Sequence, residues 1–172
     1  MTKIIGKYHF FYKDKSPLTN WYQDSYTCEI PNEDGSTQMF TFLCSEGEWM
    51  YRKAVFFNDW DKAREILEAK KPSEQMRLGR EVKNFDEELW QKNKEDIIYK
   101  VLLNKYTLGS NRVKNYLKNT AGQILVEASP IDIYNGIGMS EDDEGITDES
   151  NWKGLNLLGK LLTKVRIDLY GE

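Results

Sequence analysis

The sequence is poor in the residues that build metal sites, disulfide frameworks and membrane spans. It has two cysteines, four prolines and one histidine in 172 residues. Cys28 and Cys44 belong to no CxxC or Cys/His cluster, so their spacing excludes a zinc site and both are expected to be buried thiols. His9 lies among aromatics in Tyr8-His9-Phe10-Phe11-Tyr12, where a packed strand residue is expected rather than a catalytic base. No stretch approaches the roughly 18 apolar residues that cross a bilayer. The opening MTKIIGKYHFFYK also lacks the apolar core of a signal peptide, so a cytoplasmic location without a membrane partner is expected. The excess of one charge sign is small too, with 28 Asp and Glu against 24 Lys and Arg. A formal net charge of −4 gives no long-range pull toward nucleic-acid phosphates and leaves only a local basic cleft for such a partner.

What is present suits a folded core. Hydrophobic residues make up 40% of the chain and charged residues 30%, enough to fill an interior and solvate a surface, and the length fits one domain over 1–172. The aromatic run at 8–12 reads as a strand that ends before Ser16-Pro17, because the residue before proline is pushed out of the helical region. A loop is expected over 13–24. Segments 26–30 and 38–42 flank Asp34-Gly35, which supplies the positive backbone angle of a tight reversal, and together they predict a β-hairpin.

Helices follow. Ser45 is expected to cap one that carries Trp49, Met50, Ala54 and Phe57 on one face. Asn58 is expected to cap a second over 59–69, stopped by Lys70-Lys71-Pro72. Asn84 and Glu87 have capping-box spacing ahead of a long helix with Trp90, Ile98, Val101 and Leu102. Gly109-Ser110 sets off a shorter helix through Tyr116. Gly122 precedes Ile124-Leu125-Val126-Glu127-Ala128, an apolar segment short enough for a buried strand, and Pro130 opens a loop. The acidic stretch 140–150 lacks periodicity and EF-hand spacing, so it reads as a solvated excursion. A last helix over 155–169 carries Leu158, Leu161, Leu162, Val165 and Leu169 as one stripe. Short strands, then helices, then one late strand predict a helix-rich α+β single domain with a small β-sheet.

Four separated blocks carry a resemblance. Phe11-Tyr12-Lys13-Asp14-Lys15-Ser16-Pro17-Leu18-Thr19-Asn20-Trp21 resembles the opening of NADAR (YbiA-like) proteins, where an aromatic strand leads into a Ser-Pro-Leu-Ser-Asn-Trp/Phe loop beside the active site. The helix from Ser45 is similar to the family's Ser-Glu-Gln-Ala-Tyr-Met-x-x-Lys-Ala, with Glu46 and Lys53 on the characteristic acid and lysine and Gly47-Glu48 departing from it. LGREVKNFDEELW matches the family's Leu-Gly-Arg-x-Val-x-Gly-Phe-x-x-x-x-Trp at Gly79, Arg80, Phe85 and Trp90, with Asn84 in place of glycine. Glu127-Ala128-Ser129-Pro130 through Gly138, followed by Trp152-Lys153-Gly154-Leu155-Asn156, resembles the last two family motifs, with Asn135 where tryptophan is usual. The blocks run in family order from Phe10 to Arg166, so the resemblance covers nearly the whole chain.

The resemblance implies an N-glycosidase with a YbiA-like fold, and the chemistry indicates which residues to examine. Breaking an N-glycosidic bond builds positive charge on ribose while the departing base gains electrons, so carboxylates are the natural suppliers of an anion and a proton. Glu46, Glu127 and Asp132 are the candidates, and their convergence is an expectation. Glu46 would orient water or stabilise the oxocarbenium ion. Asp132 would assist the leaving amine or fix ribose hydroxyls, and Glu127 would tune its charge or touch the sugar; these last roles are interchangeable. Trp90 would stack on the base, its alternative role being core packing. Lys53, Arg80 and Lys83 would hold phosphate, Lys83 being equally well explained as surface charge. Asn20, Trp21 and Ser129 enter the substrate site through the resemblance. Gly136 and Gly138 fit neither a dinucleotide nor a Walker loop and read as turn glycines that let a ligand approach. Asn156 either caps the last helix or orders active-site loops.

No cofactor and no metal are required by such a mechanism. Three functions follow from the resemblance. The first is cleavage of phosphoribosylated aminopyrimidines, intermediates of riboflavin synthesis, with release of ribose 5-phosphate. The second is removal of ADP-ribose from guanine in nucleic acid. The third is a non-catalytic sensor of NAD- or ADP-ribose-derived ligands, for which the loss of an aromatic wall at Asn135 is the sequence argument.

Overall fold

The computed structural model describes residues 2–171 and divides into two compact units, one running from the N-terminus to Tyr22 and resuming at Arg112, the other spanning Gln23–Asn111. The elements are those of a helix-rich α+β protein, with five strands in two small sheets and six α-helices among the described residues.

In the first unit, β2 (Tyr8–Phe11) is the centre of a three-stranded sheet. It pairs antiparallel with β1 (Thr2–Ile5) and parallel with β5 (Ile124–Glu127). Gly6, at φ +57°, turns the chain between β1 and β2 in the two-residue connection that such hairpins favour. Every residue of β2 is buried, which follows from its central place and its aromatic content. His9 is packed there as expected. Its Nδ1 donates to Gln123 Oε1 at 2.6 Å, its Nε2 lies 3.3 Å from the Tyr116 hydroxyl, and burial pushes its pKa below the ordinary value. Strand β1, largely half-buried at the edge of the sheet, adds to the elements the sequence pattern predicts.

After β5 the chain runs through an irregular loop and the acidic segment, which is tied down by Lys3 Nζ on Asp142 at 3.0 Å and by the Tyr8 hydroxyl on Glu149 at 2.9 Å. The last helix, α6 (Leu157–Tyr170), packs on β5; of the stripe predicted from spacing, Leu158, Leu161, Leu162 and Val165 are buried and Leu169 is half-buried.

The second unit opens with the hairpin β3 (Tyr26–Pro31) and β4 (Thr37–Phe42). In β3 the apolar Tyr26, Cys28 and Ile30 point inward while Thr27 and Glu29 face out, the period of two that a one-sided sheet requires. Gly35 adopts φ +83° in the turn, as expected from Asp34-Gly35. Helices α1 (Ser45–Phe56), α2 (Trp60–Glu68), α3 (Pro72–Arg80) and α4 (Glu87–Leu108) follow, and α1 packs against all three of the others. Their shared core holds Met50, Tyr51, Ala54, Phe57, Ile66, Leu78 and Trp90. Helix α5 (Asn111–Lys118) leads the chain back into the first unit.

The caps differ from the sequence expectation in a consistent way. Ser45 is the first helical residue of α1, not its cap; the cap position is Cys44, extended at φ −161° and making no side-chain capping bond. Asp59, not Asn58, caps α2 by accepting from Lys62 N at 3.1 Å. Asp86, not Asn84, caps α4 by accepting from Leu89 N at 2.9 Å. Asn58 and Asn84 instead take φ +57°, the left-handed turn that asparagine tolerates, one or two residues ahead of the true cap. Helix α3 was missed altogether. Lys70-Lys71-Pro72 ends α2 and also starts α3, because proline at a first helical position gives up no hydrogen bond.

Candidate functional site

Each unit gathers its own set of the candidate residues. In the second unit the set is built on α1. Glu46 sits in the first turn, 3% exposed, where the positive end of the helix dipole favours a carboxylate. Lys53 is two turns further along, and its Nζ donates to the carbonyl of Gly79 at 2.8 Å. The same ammonium lies 4.7 Å from the centre of the Phe85 ring and 5.5 Å from that of Trp90, distances at which a cation is drawn to an aromatic face. Burial lowers the Lys53 pKa, the charges of Glu87 and Glu46 oppose that shift, and Arg80 adds to it, so Glu46, Lys53 and Arg80 share one electrostatic neighbourhood.

Trp90 is packed at 7% exposure against Phe56 and Phe57, whereas Phe85 is 42% exposed. Beside Lys53, the more accessible ring is therefore Phe85; Phe56, packed on Trp90, is 38% exposed. Phe85, five residues before Trp90, matches the family motif, and its place beside Lys53 adds it to the candidate residues. Lys83 is placed elsewhere. It is exposed and lines a shallow polar groove of about 210 Å³ with Glu33, Asn58, Asp59, Trp60 and Arg64, a wall that includes none of Glu46, Lys53, Arg80 or Trp90.

The two departures at the start of α1 have structural counterparts. A Cβ on Gly47 would lie 2.8 Å from Gln75 Nε2, so the carboxamide of α3 fills the space that a side chain at 47 would take. Gln75 is held there, donating to Ala69 O at 3.2 Å and accepting from the Cys44 thiol at 3.4 Å. Glu48 is fully buried and accepts from the Tyr26 hydroxyl, from Arg52 Nε and from Asn104 Nδ2, each at 2.7 Å. It is a structural node joining β3, α1 and α4. Nearby, burial first and Glu48 second push the Cys28 thiol up to about 12; Cys28 and Cys44 are both free and buried, as expected.

In the first unit the candidates converge on the loop after β5. Glu127 ends the strand, half-buried. The Ser129 hydroxyl accepts from Asp132 N at 3.2 Å. Asp132 Oδ1 accepts from the backbone N–H groups of Tyr134 at 2.9 Å and Asn135 at 2.8 Å, and Oδ2 accepts from Asn135 Nδ2 at 3.0 Å. Both oxygens of this carboxylate therefore have partners within the loop.

Gly136 closes this loop. A Cβ there would lie 2.9 Å from each of Asp132 O, Glu127 O and Ser129 Cβ, a space no side chain fits. Asn156, left-handed at φ 53° and 3% exposed, bridges back to the strand: its Nδ2 donates to Leu125 O at 2.9 Å and its Oδ1 accepts from Glu127 N at 3.0 Å. Asn156 thus joins the start of α6 to the end of β5; it occupies the cap position of α6 but makes no side-chain capping bond there. Asn20 is buried and Trp21 half-buried in the Ser-Pro-Leu-Thr-Asn turn, where Thr19 N and Oγ1 both donate to Ser16 O.

Among the described residues no group of three or more His, Cys, Asp or Glu side chains is arranged to hold a metal, and no helix is long and apolar enough to cross a membrane.

A helix-rich α+β protein with a buried glutamate opening α1 and an aspartate-capped loop after β5 defines a class, and sequence comparison supplies its name. The chain belongs to the NADAR domain family, whose match spans residues 10–170. Protein irg-1 of Caenorhabditis elegans is 32% identical over 167 residues, covering 93% of this chain and 78% of that protein. An N-glycosidase of Acanthamoeba polyphaga mimivirus is 35% identical over 125 residues, 73% of each chain. The chloroplastic riboflavin biosynthesis protein PYRR of Zea mays is 33% identical over 154 residues, which are 85% of this chain and 22% of that longer protein. The fold is that of the E. coli protein YbiA, whose NMR structure matches with a TM-score of 0.69 at 25% identity, covering 96% of this chain and 87% of the other.

Proposed function

We propose that this chain is a hydrolase of N-glycosyl bonds whose substrate is a phosphorylated ribose carrying an aminopyrimidine, and that it releases ribose 5-phosphate. Relatives named N-glycosidase and riboflavin biosynthesis protein support the reaction class and the direction of the substrate assignment. The observation that carries the reading is the Lys53 cluster: a half-buried ammonium against the Phe85 and Trp90 rings, in the field of Glu46 and beside Arg80. Cations that match a sugar phosphate and rings that match a heterocycle are thereby presented together with a buried acid.

In the reaction, water adds to the anomeric carbon as the carbon–nitrogen bond breaks. The bonding pair goes to the base nitrogen, which takes up a proton. Glu46 is the group assigned to water and to the developing positive charge. Asp132, whose two oxygens accept within the loop, is assigned to the ribose hydroxyls or the oxocarbenium ion, and Glu127 to the leaving amine, roles the two acids could exchange. No cofactor or metal enters these steps.

The test is to incubate the purified protein separately with a phosphoribosylaminopyrimidine, with ADP-ribosylated DNA and with NAD, and to measure free sugar phosphate and free ADP-ribose. Turnover of the first alone is the expected result. Turnover of ADP-ribosylated DNA alone would replace the substrate class with a nucleic-acid adduct, and tight binding without product from any of the three would make the protein a sensor.

A further inference from the structure

Asn135 stands where the resembled motif carries tryptophan, and by sequence it is the departure most damaging to an enzymatic reading. Its environment gives it a different meaning. The carboxylate of Asp132 has four lone-pair directions, and two backbone donors fix only Oδ1. Those two bonds leave the carboxylate able to swing about Oδ1. The bond from Asn135 Nδ2 to Oδ2, at 3.0 Å, removes that freedom and holds the plane of the carboxylate. Asn135 is itself held by its backbone N–H on Oδ1 and by the turn that Gly136 permits, so its amide is not a wandering surface group. It is half-buried, as is Asp132.

From this contact we infer that Asn135 is a positioning residue, orienting the Asp132 carboxylate for the reaction proposed above, on which the inference rests. The substitution that removes an aromatic wall supplies a hydrogen-bond donor. Orientation matters most when charge develops on the sugar, because a preorganised anion needs no rearrangement at that moment. The loss is therefore expected in kcat rather than in KM.

The experiment compares Asn135→Leu, which keeps bulk and loses the donor, with Asn135→Gln, which keeps the carboxamide, using Asp132→Asn and wild type as references. Asn135→Leu should lower kcat about 10- to 100-fold, the scale of a small misplacement of a catalytic group, with KM changed less than about twofold. Asn135→Gln should recover part of that loss. Asn135→Asp, the isosteric exchange of donor for acceptor, serves if the leucine variant does not fold and should show the same loss. If Asp132→Asn abolishes turnover while both donor-free variants match wild type, the positioning role is overturned and the hydrolase reading stands. If Asn135→Gln is no better than Asn135→Leu, the donor is not what matters and the role also falls. Absence of turnover by wild type overturns the hydrolase reading and this role with it.

Discussion

Gly159, in the first turn of α6, lies so close to β5 that a Cβ on it would stand 2.1 Å from the carbonyl oxygen of Leu125 and within 2.7 Å of the Asn156 side-chain amide. The clash is with backbone, which cannot rotate aside. Gly159→Ala should therefore destabilise the protein toward the upper end of the about 1–3 kcal/mol that overpacking costs. That outweighs the gain of about 1 kcal/mol that alanine brings to a helix. A lowered urea midpoint with an unchanged slope is the expected result; an equal or higher midpoint would mean that α6 does not bear on β5 this closely.

Glu46 and Glu48, two residues apart on α1, should separate cleanly by experiment. Glu48 accepts from Tyr26, Arg52 and Asn104 with no exposure of its own, so Glu48→Gln leaves Arg52 without its ion partner. Breaking a buried pair costs about 3–5 kcal/mol, and the lower figure applies because the Arg52 side chain is 22% exposed. Thermal unfolding should show that loss, while the fraction that remains folded turns over normally.

Exposure sets the expectation for the two rings beside Lys53. Phe85→Ala should raise KM about 5- to 100-fold, the range that stacking of one base spans, with little change in stability because the ring is already open to water. Trp90→Ala should instead unfold the second unit's core, at about 3–5 kcal/mol for a buried tryptophan, and Trp90→Phe should retain both stability and activity. Equal KM values for Phe85→Ala and wild type would take the Phe85 ring out of the substrate site.

The sequence made much of this legible, and its failures have identifiable causes. Alternation in β3, the turn at Gly35 and the leucine stripe of α6 are local patterns with one physical reading, and they appear where expected. Cap assignments failed at Asn58 and Asn84 because asparagine serves equally well as a cap and as a left-handed turn, and only the neighbouring aspartate decides between them. Helix α3 was invisible because a single Lys-Lys-Pro both stops one helix and starts the next. In the candidate site, Glu46 and Lys53 are singled out by the family resemblance of the block from Ser45, and both lie on α1. Phe85 as the more open ring beside Lys53, Gln75 filling the space beside Gly47 and the amide of Asn135 on Asp132 depend on burial and side-chain geometry that no linear pattern carries.

Lys105 gives a prediction in pH. It is 1% exposed on α4, and burial lowers its pKa to about 7, with Cys44 and Asp24 opposing the shift. Below about 7 the lysine is charged both folded and unfolded, so the full cost of burying the charge is present. Between about 7 and its ordinary value near 10.5 the unfolded chain binds more protons than the folded one, so stability rises with pH across that window. The difference in unfolding free energy between wild type and Lys105→Met should therefore move in favour of wild type from pH 7 to pH 9. A difference that stays flat with pH would show that the ammonium titrates normally.

The most direct measurement of the account is the stoichiometry of products from a phosphoribosylaminopyrimidine, followed with wild type and with Glu46→Gln. The account predicts free ribose 5-phosphate and free aminopyrimidine in equal amounts from wild type, and a rate lower by at least about 100-fold from Glu46→Gln with folding intact. Equal rates from the two proteins would contradict it.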